Sequence, residues 1–163
     1  MSDNIFNWNH ISNKLSKDQV DELKSYYKTY HRKCWAYKKY EKKFKRLRLL
    51  GDSLSIIFAT GGLSSSIATG GIALVAISTS ALLIQLWMKH KDLELKIHNC
   101  IYAHQSYQHL LDELREMLRS GNIINNDIYI KMKHIDDYVT DNAPIVDKYY
   151  RKYDRIFQES TID

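Results

Sequence analysis

The chain has 163 residues with a single proline, and 24 basic against 19 acidic residues give it a net charge of +5. This length fits one compact domain, or one membrane element with an extramembrane part. The scarcity of proline predicts long helices, and the lack of alternating Val/Ile/Thr runs between Asn-Gly or Asp-Gly turns argues against a sheet. The composition therefore predicts an all-α fold.

The chain begins with a segment that we expect to be flexible, residues 1–15. It lacks the basic and apolar regions of a secretory signal. Ser16 and Gln19 then have the spacing of a capping box, which marks the start of a helix. Apolar and aromatic residues recur at steps of three and four from Val20 to Phe44. This pattern predicts a basic, aromatic first stalk helix over residues 16–50 that packs lengthwise on other helices.

Residues 49–88 carry one charge, that of Asp52, which follows Arg48 by one helical turn and can pair with it. Two adjacent glycines, Gly70 and Gly71, fall near the middle of this stretch. Two segments of about 18 residues would each span roughly 27 Å, close to the thickness of a bilayer core. We therefore predict a transmembrane helical hairpin over residues 51–88, with its turn at the two glycines.

The charges beside this stretch decide its predicted topology. Ten Lys or Arg residues lie between positions 28 and 48 against one acid, Glu41, and the other flank is also weakly basic. Basic flanks favour the cytoplasmic side, so two crossings would place both termini and the stalk there. A single crossing over residues 67–88 and a soluble bundle with an insertable hairpin remain as alternatives. A solvated linker is excluded because "IALVAISTSALLIQLWM" is too apolar.

Small and polar residues are frequent in the predicted hairpin. Small residues let helices approach closely in a membrane, and the candidates for helix packing are Gly62, Ser66, Ala76 and Ser80. Polar groups at membrane depth prefer a wet or helix-facing side. The candidates for the lining of a pore are therefore Ser53, Ser64, Ser65, Thr69, Ser78 and Gln85. The alternative is that their hydroxyl groups bond back to their own helix.

Two further heptad patterns follow the hairpin. The first predicts a second stalk helix over residues 89–119, which the sequence Ser-Gly-Asn at 120–122 would end. The second predicts a third stalk helix over residues 125–158, with a tail over 159–163. Because proline removes a backbone donor, this helix should kink near Pro144 or restart there with Asp141 or Asn142 as its cap. The three helices predict an antiparallel, coiled-coil-like stalk continuous with the hairpin.

A third helix that returned to the membrane end would bring its basic residues close to those of the first helix. Each basic residue near an anionic bilayer contributes about 1 kcal/mol, and tryptophan favours the interface. The predicted lipid head-group residues are Lys42, Lys43, Lys45, Arg46, Arg48, Arg151, Lys152, Arg155 and Trp87. A solvated face is the alternative. Nucleic-acid binding is disfavoured because no recognisable module accompanies the basic and aromatic residues.

No motif for catalysis or cofactor binding is present, so we expect a protein that is not an enzyme and binds no cofactor. Cys34, Cys100 and His104 are the one conceivable metal-binding set. They lie on the packing stripes, and three candidates in an apolar seam are better explained as core residues with reduced thiols than as metal ligands.

The layout of the chain resembles the SLATT family of two-transmembrane effectors over roughly Trp35 to Pro144. The resemblance rests on "AYKKYEKKFKRLR", a two-pass hairpin and "AHQSYQHLLDELREML", in which Ala103, Tyr107 and Leu110 precede Glu113. It implies a membrane-perturbing effector that forms homo-oligomers and is triggered by nucleotide signals or partner sensors. Small two-pass proteins of virus-like mobile elements have a similar layout. For these the resemblance implies a different function, which is to anchor a capsid to a membrane.

We therefore expect a non-enzymatic, oligomeric integral membrane protein whose hairpins form a pore or lesion. The first alternative is a membrane-anchored scaffold whose stalk binds a protein partner, such as a viral capsid or a sensor. The second alternative is a soluble helical bundle with an insertable hairpin or with affinity for nucleic acid.

Overall fold

The structure is a computed structural model that describes the backbone of residues 11, 13–69, 72–122 and 124–159. Side chains 59, 61–69, 72–75, 158 and 159 are not described. Most of the predicted flexible segment 1–15 and of the tail 159–163 therefore lies outside the described residues, as does the predicted turn at Gly70 and Gly71.

The described residues form five helices and no strand, which confirms the all-α prediction. The helices are α1 (Lys17–Thr69), α2 (Ile72–His90), α3 (Leu93–Ser120), α4 (Asn126–Asn142) and α5 (Asp147–Glu159).

The start of α1 is the predicted capping box. The backbone N–H of Ser16 donates to Gln19 Oε1 at 2.9 Å, and the N–H of Gln19 donates to Ser16 Oγ at 3.3 Å. The two residues thus satisfy each other's free donors at the helix end. The helix does not end at residue 50 but continues to Thr69, so the first stalk helix and the first half of the predicted hairpin are one element. A glycine at position 51 weakens a helix without ending it.

The boundary between α2 and α3 differs from the prediction of one stalk helix over residues 89–119. Asp92 has a φ of 48°, a left-handed conformation that aspartate tolerates better than most residues. Its N–H donates to the carbonyl of Lys89 at 3.0 Å, and its own carbonyl accepts from Lys96 at 2.9 Å. One residue thus ends α2 and starts α3. The predicted stop is confirmed at the other end, where Gly121 has a φ of 77° directly after Ser120.

The chain restarts rather than kinks at Pro144. Asn125 caps α4 by accepting from the N–H of Ile128 at 3.1 Å, and the N–H of Ala143 closes the helix on Val139 at 2.9 Å. Ala143 is extended, as a residue before proline prefers to be. The predicted caps for the restart are corrected, because Asp141 and Asn142 belong to the last turn of α4 and α5 begins only at residue 147.

The chain divides into two compact units, which are described separately. The bundle unit comprises Met1–Tyr40 and Asn99–Asp163, and the hairpin unit comprises Glu41–His98. In the bundle unit the predicted stripes of α1, α3 and α4 form the core. Its buried residues include Leu23, Tyr27, Tyr30, Cys34, Tyr37, Cys100, Ala103, Tyr107, Leu110, Leu114, Met132 and Val139.

The bundle unit contains four helical segments instead of the three predicted. The ring of Tyr129 lies 6.0 Å from that of Tyr26, and Lys33 Nζ lies 2.7 Å from Asp136, so α4 runs parallel to α1. The ring of Tyr138 lies 4.3 Å from that of Tyr102, and the Tyr107 hydroxyl group lies 2.8 Å from Asp136, so α4 runs antiparallel to α3. The reversal at residues 143–146 then sends α5 back along α1. Residues 125–158, predicted as one stalk helix that is kinked or restarted near Pro144, thus form two antiparallel helices.

The direction of α5 follows from its contacts with α1. Tyr149 packs against Tyr40 with ring centroids 5.3 Å apart, whereas Phe157 lies 5.9 Å from His31. Arg151, Lys152 and Arg155 therefore lead away from the level of Tyr40, which corrects the path predicted for the basic end of the third helix.

Candidate functional site

The hairpin unit carries large apolar side chains that its own core does not cover. We call these residues the apolar surface; their exposed fractions range from 45% to 66%. Contiguous apolar patches beyond a few hundred Å² on a folded protein mark a site of interaction. The residues are Leu49, Leu50, Leu54, Ile56, Ile57, Leu82, Leu83, Leu86, Trp87 and Leu95.

The position of the apolar surface follows from the contact of α1 with α2, in which Gly51 of α1 lies against the long side chain of Met88. A Cβ atom built on Gly51 would lie 2.1 Å from Met88 Sδ, so the two helices are close at this point. Gly51, Ser55 and Met88 are buried, so this contact covers one side of each helix. The remaining leucines and isoleucines therefore face away from the core.

Gly51 was not among the predicted packing residues. It precedes Ser55 by four residues, which is the same small-x3-small spacing that selected Gly62 with Ser66 and Ala76 with Ser80. The spacing alone was therefore sufficient to find it. The side chains of Gly62 and Ser66 lie outside the described residues, and Ala76 is exposed while Ser80 is half-buried.

The predicted pore-lining residues fall in different places. Ser53 is exposed one turn after Leu49 and one turn before Ile57, so it lies within the apolar surface of α1. Ser78 and Gln85 are both exposed and are two turns apart, which places them on one face of α2 beside Leu82. The side chains of Ser64, Ser65 and Thr69 are outside the described part of the chain.

Two hydroxyl groups of the hairpin unit bond back to their own helix. Thr60 Oγ1 donates to the carbonyl of Ile56 at 2.8 Å, and Ser80 Oγ donates to that of Ala76 at 2.9 Å. Such bonds satisfy a hydroxyl without water, which is the condition it must meet at membrane depth. The buried Ser55 Oγ has no hydrogen-bond partner among the described residues.

Basic residues precede the apolar surface along α1. Lys42, Lys43, Lys45 and Arg46 are exposed, and Lys45 pairs with Glu41 at 2.6 Å. The predicted pair of Arg48 with Asp52 is confirmed at 3.7 Å, and Arg48 Nη2 also contacts Glu94 at 3.0 Å. The charges of Asp52 and Glu94 are thereby partly neutralised next to exposed leucines.

In the bundle unit, Asp136 holds three helices together. Lys33 Nζ of α1 donates to its carboxylate at 2.7 Å, and the hydroxyl groups of Tyr107 and Tyr30 donate at 2.8 and 3.3 Å. Burial and the neighbouring carboxylate raise the pKa of both tyrosines, so they stay protonated donors. Lys33 Nζ also lies 4.9 Å from the centre of the Tyr30 ring. This network links α1, α3 and α4.

The contact of α5 with α1 is aromatic and charged. Tyr153 OH lies 2.7 Å from His31 Nδ1, Arg32 forms an ion pair with Asp154, and the Arg32 guanidinium lies 4.9 Å from the centre of the Tyr150 ring. Burial, and to a smaller extent Arg115, lower the pKa of His31. A neutral imidazole can accept a hydrogen bond from the Tyr153 hydroxyl group at Nδ1.

The two thiols belong to the core of the bundle unit. Both cysteines are buried, and neither is in a disulfide bond. Cys34 Sγ lies 3.7 Å from the carbonyl oxygen of His104, and burial raises the pKa of this thiol to about 11. A protonated, buried thiol is a poor nucleophile. Among the described residues, no group of three or more His, Cys, Asp or Glu side chains could hold a metal ion.

No protein-family model, curated protein or solved structure matches the chain. Within the part of the chain that the structure describes, no helix has a stretch long and apolar enough to cross a bilayer.

Proposed function

We propose that the protein is a non-enzymatic integral membrane protein whose α1–α2 hairpin enters an anionic bilayer, and that hairpins of several copies assemble there into a pore or lesion. In this proposal the bundle unit and both termini stay on the cytoplasmic side. The apolar surface is the observation that carries the proposal. The resemblance to SLATT effectors has the same implication.

The ten exposed apolar side chains would supply the free energy for insertion. Complete burial of one such side chain is worth about 1.5–3 kcal/mol. Because each is roughly half exposed, the whole apolar surface leaves on the order of 10 kcal/mol unrealised in water. Lipid or further protein would supply this free energy. Lipid is favoured because the basic residues that precede the apolar surface suit an anionic head-group region.

The lengths of the two helices approach the thickness of a bilayer core, and insertion would rest on their packing as a pair because no described helix is by itself long and apolar enough to cross. The part of α1 from Leu49 to Thr69 is about 30 Å long and α2 from Ile72 to Met88 about 24 Å, against a bilayer core of about 30 Å. No charged residue lies between Ile72 and Met88, and Asp52 on α1 is paired with Arg48. Trp87 is 47% exposed next to Lys89, where an interfacial tryptophan is expected.

Carbonate extraction combined with cysteine accessibility tests the insertion. The variant Gly70→Cys, made with both native cysteines replaced by alanine, should stay in the membrane fraction. It should react with an impermeant maleimide only from the side opposite the termini. Protein that salt or carbonate releases, or termini found on different faces, would contradict two crossings. Salt-sensitive release would favour the soluble bundle with nucleic-acid affinity.

Dye release from vesicles tests the pore. Ser78 and Gln85 supply the exposed polar strip of α2, so Ser78→Leu with Gln85→Leu should reduce leakage while leaving the inserted fraction unchanged. Leu82→Ile, which alters the residue between them without changing polarity, is the matched control. Inserted oligomers that never release dye would rule out the pore.

A membrane anchor for a scaffold is the second candidate, and one observation favours it. The hydroxyl groups of Thr60 and Ser80 are satisfied by their own helices, and Ser53 lies among apolar residues, so these groups need no water-filled lumen. The bundle unit would then bind the partner. Replacing residues 49–88 by an unrelated two-pass anchor should preserve the function of an anchor and abolish that of a pore.

A further inference from the structure

Helix α5 separates its charged and aromatic residues more sharply than any other described element. We call Lys148, Arg151, Lys152 and Arg155 the α5 basic strip; all four are exposed. Their spacing places them within about 100° of the helix circumference, along a line about 10 Å long. The opposite face packs on α1, where Tyr149 contacts Tyr40 and Tyr153 contacts Trp35. The strip therefore faces solvent.

Within the described residues, no side chain of the α5 basic strip forms an ion pair. Asp154 on the same helix is paired with Arg32, and Asp147, one turn before Arg151, forms no ion pair with the strip within the described residues. Four like charges on one short face repel each other in the free protein, and an anionic partner relieves this repulsion. The strip thus has the charge complementarity of a site for a negatively charged surface.

Two exposed isoleucines identify the kind of anionic partner. Ile145, two residues before α5, is 81% exposed, and Ile156, one turn after Lys152, is 41% exposed. Helices that lie on a membrane combine basic residues with apolar side chains that enter the head-group boundary. Isoleucine offers nothing to a phosphate backbone or a stacked base, so a nucleic acid would leave both residues unused.

From this juxtaposition we infer that α5, docked on α1, is a second lipid-contact site that binds the surface of an anionic membrane without crossing it. This site is separate from the hairpin. Arg151, Lys152 and Arg155 act in it together with Lys148, Ile145 and Ile156, and the membrane lies along the length of α5 rather than at its end. The site needs no hairpin insertion and would also recruit protein whose hairpin is still outside the bilayer.

The test compares binding of the full chain to vesicles of phosphatidylcholine with and without phosphatidylglycerol. The α5 variant changes Lys148, Arg151, Lys152 and Arg155 to glutamine, which preserves helix propensity. The control variant removes the same number of charges elsewhere in the bundle unit, at Lys24, Lys28, Arg119 and Lys133. At about 1 kcal/mol for each charge, reduced by saturation, the α5 variant should lose about 100-fold of the preference for anionic vesicles. The control variant should keep it.

A local probe separates this inference from hairpin insertion. Ile156→Cys carries an environment-sensitive dye, since both native thiols are buried and react slowly. Its emission should shift to the blue on anionic vesicles and not on neutral ones, and the α5 variant should abolish the shift. A shift in protein that carbonate extracts would support the α5 site and contradict the proposed hairpin function.

Three results would overturn the inference. The first is protein that resists carbonate extraction while the emission of the dye at position 156 does not shift. Only the hairpin would then be in lipid. The second is an equal loss in the α5 and control variants, which would show that net charge alone acts. The third is binding to single-stranded RNA that the α5 variant abolishes, with no vesicle preference to lose, which would assign the strip to nucleic acid.

Discussion

At the scale of the residue, the carboxylate of Asp136 contributes to the stability of the bundle unit through three hydrogen bonds. It accepts hydrogen bonds from Lys33, Tyr30 and Tyr107 and so connects α1, α3 and α4. Tyr107 is only 2% exposed, so its hydroxyl group has little access to water if the carboxylate is lost. An unsatisfied buried donor costs about 1–3 kcal/mol.

We predict that Asp136→Ala lowers the free energy of unfolding by about 1–2 kcal/mol, since the side chain is one-third exposed and water offsets part of the loss. Urea unfolding followed by circular dichroism measures it. The exposed neighbour Asp137→Ala is the control and should change stability by less than about 0.5 kcal/mol. Equal effects of the two variants would show that the network carries no stability.

Gly51 is the residue on which the close approach of α1 and α2 depends. An added Cβ meets Met88 Sδ, the flexible end of a side chain, so alanine is tolerated if Met88 moves. A β-branched side chain at position 51 is too large for Met88 to make room for it by moving aside. We predict that Gly51→Ile destabilises the hairpin unit by about 1–3 kcal/mol.

Denaturation in mixed detergent micelles measures the effect of Gly51→Ile. The exposed neighbour Leu50→Ile serves as control because it introduces the same β-branched side chain into the same helix. A Gly51 variant as stable as this control would mean that the contact with Met88 is not tight.

At the scale of the element, the docking of α5 depends on a histidine. His31 contacts Tyr153 and Phe157 of α5 and stacks on Tyr27, and burial, followed by the nearby charge of Arg115, disfavours its protonation. The pKa of His31 is lowered from 6.5 in the folded protein. The unfolded chain therefore binds more protons as the pH falls through about 6.5, and stability decreases over that range.

We predict that the melting temperature falls between about pH 7.5 and pH 5.5 and that His31→Gln flattens this dependence. Glutamine retains a hydrogen-bond acceptor for Tyr153 but does not titrate. Thermal unfolding at both pH values, followed in the near ultraviolet, measures the effect. Parallel profiles for the variant and the parent protein would show that other groups cause the acid sensitivity.

Element boundaries followed from the sequence only where a local signal exists. The capping box at Ser16 and Gln19 and the glycine at 121 were both recognised, because the residues that form these signals are neighbours in the chain. The left-handed Asp92 was missed, since an aspartate on a helical pattern does not differ from an ordinary surface residue. The reversal after Pro144 was recognised as a break, but its angle depends on the contacts that α5 makes with α1.

At the scale of the whole molecule, the two thiols report on the cooperativity of the bundle unit. Cys34 and Cys100 are 5% and 0% exposed and lie on α1 and α3. We predict that N-ethylmaleimide labels neither thiol in the native protein within minutes at neutral pH, and that both react together at the urea midpoint. Mass spectrometry distinguishes the products. Rapid native labelling of one thiol alone would indicate local opening of that helix.

The two units also separate by the kind of surface that they present. The bundle unit pairs Asp136 with Lys33 and buries most of its aromatic stripe, whereas the hairpin unit leaves leucines and isoleucines exposed. In a chain of 19.2 kDa that packs one unit well, clustered exposed apolar side chains in the other unit indicate a surface that contacts something else. This contrast is the reason for assigning the membrane proposal to the hairpin unit.

The sequence by itself determined the helical class, the buried stripes and the stretch over residues 49–88 with its single charge, because periodicity and the scarcity of charge are properties of neighbouring residues. Only the tertiary structure decided that Asp136 joins three helices, that Gly51 faces Met88 and that α5 runs back along α1 with its basic strip turned outward. These depend on contacts between residues far apart in the chain, whose pairing no local pattern specifies.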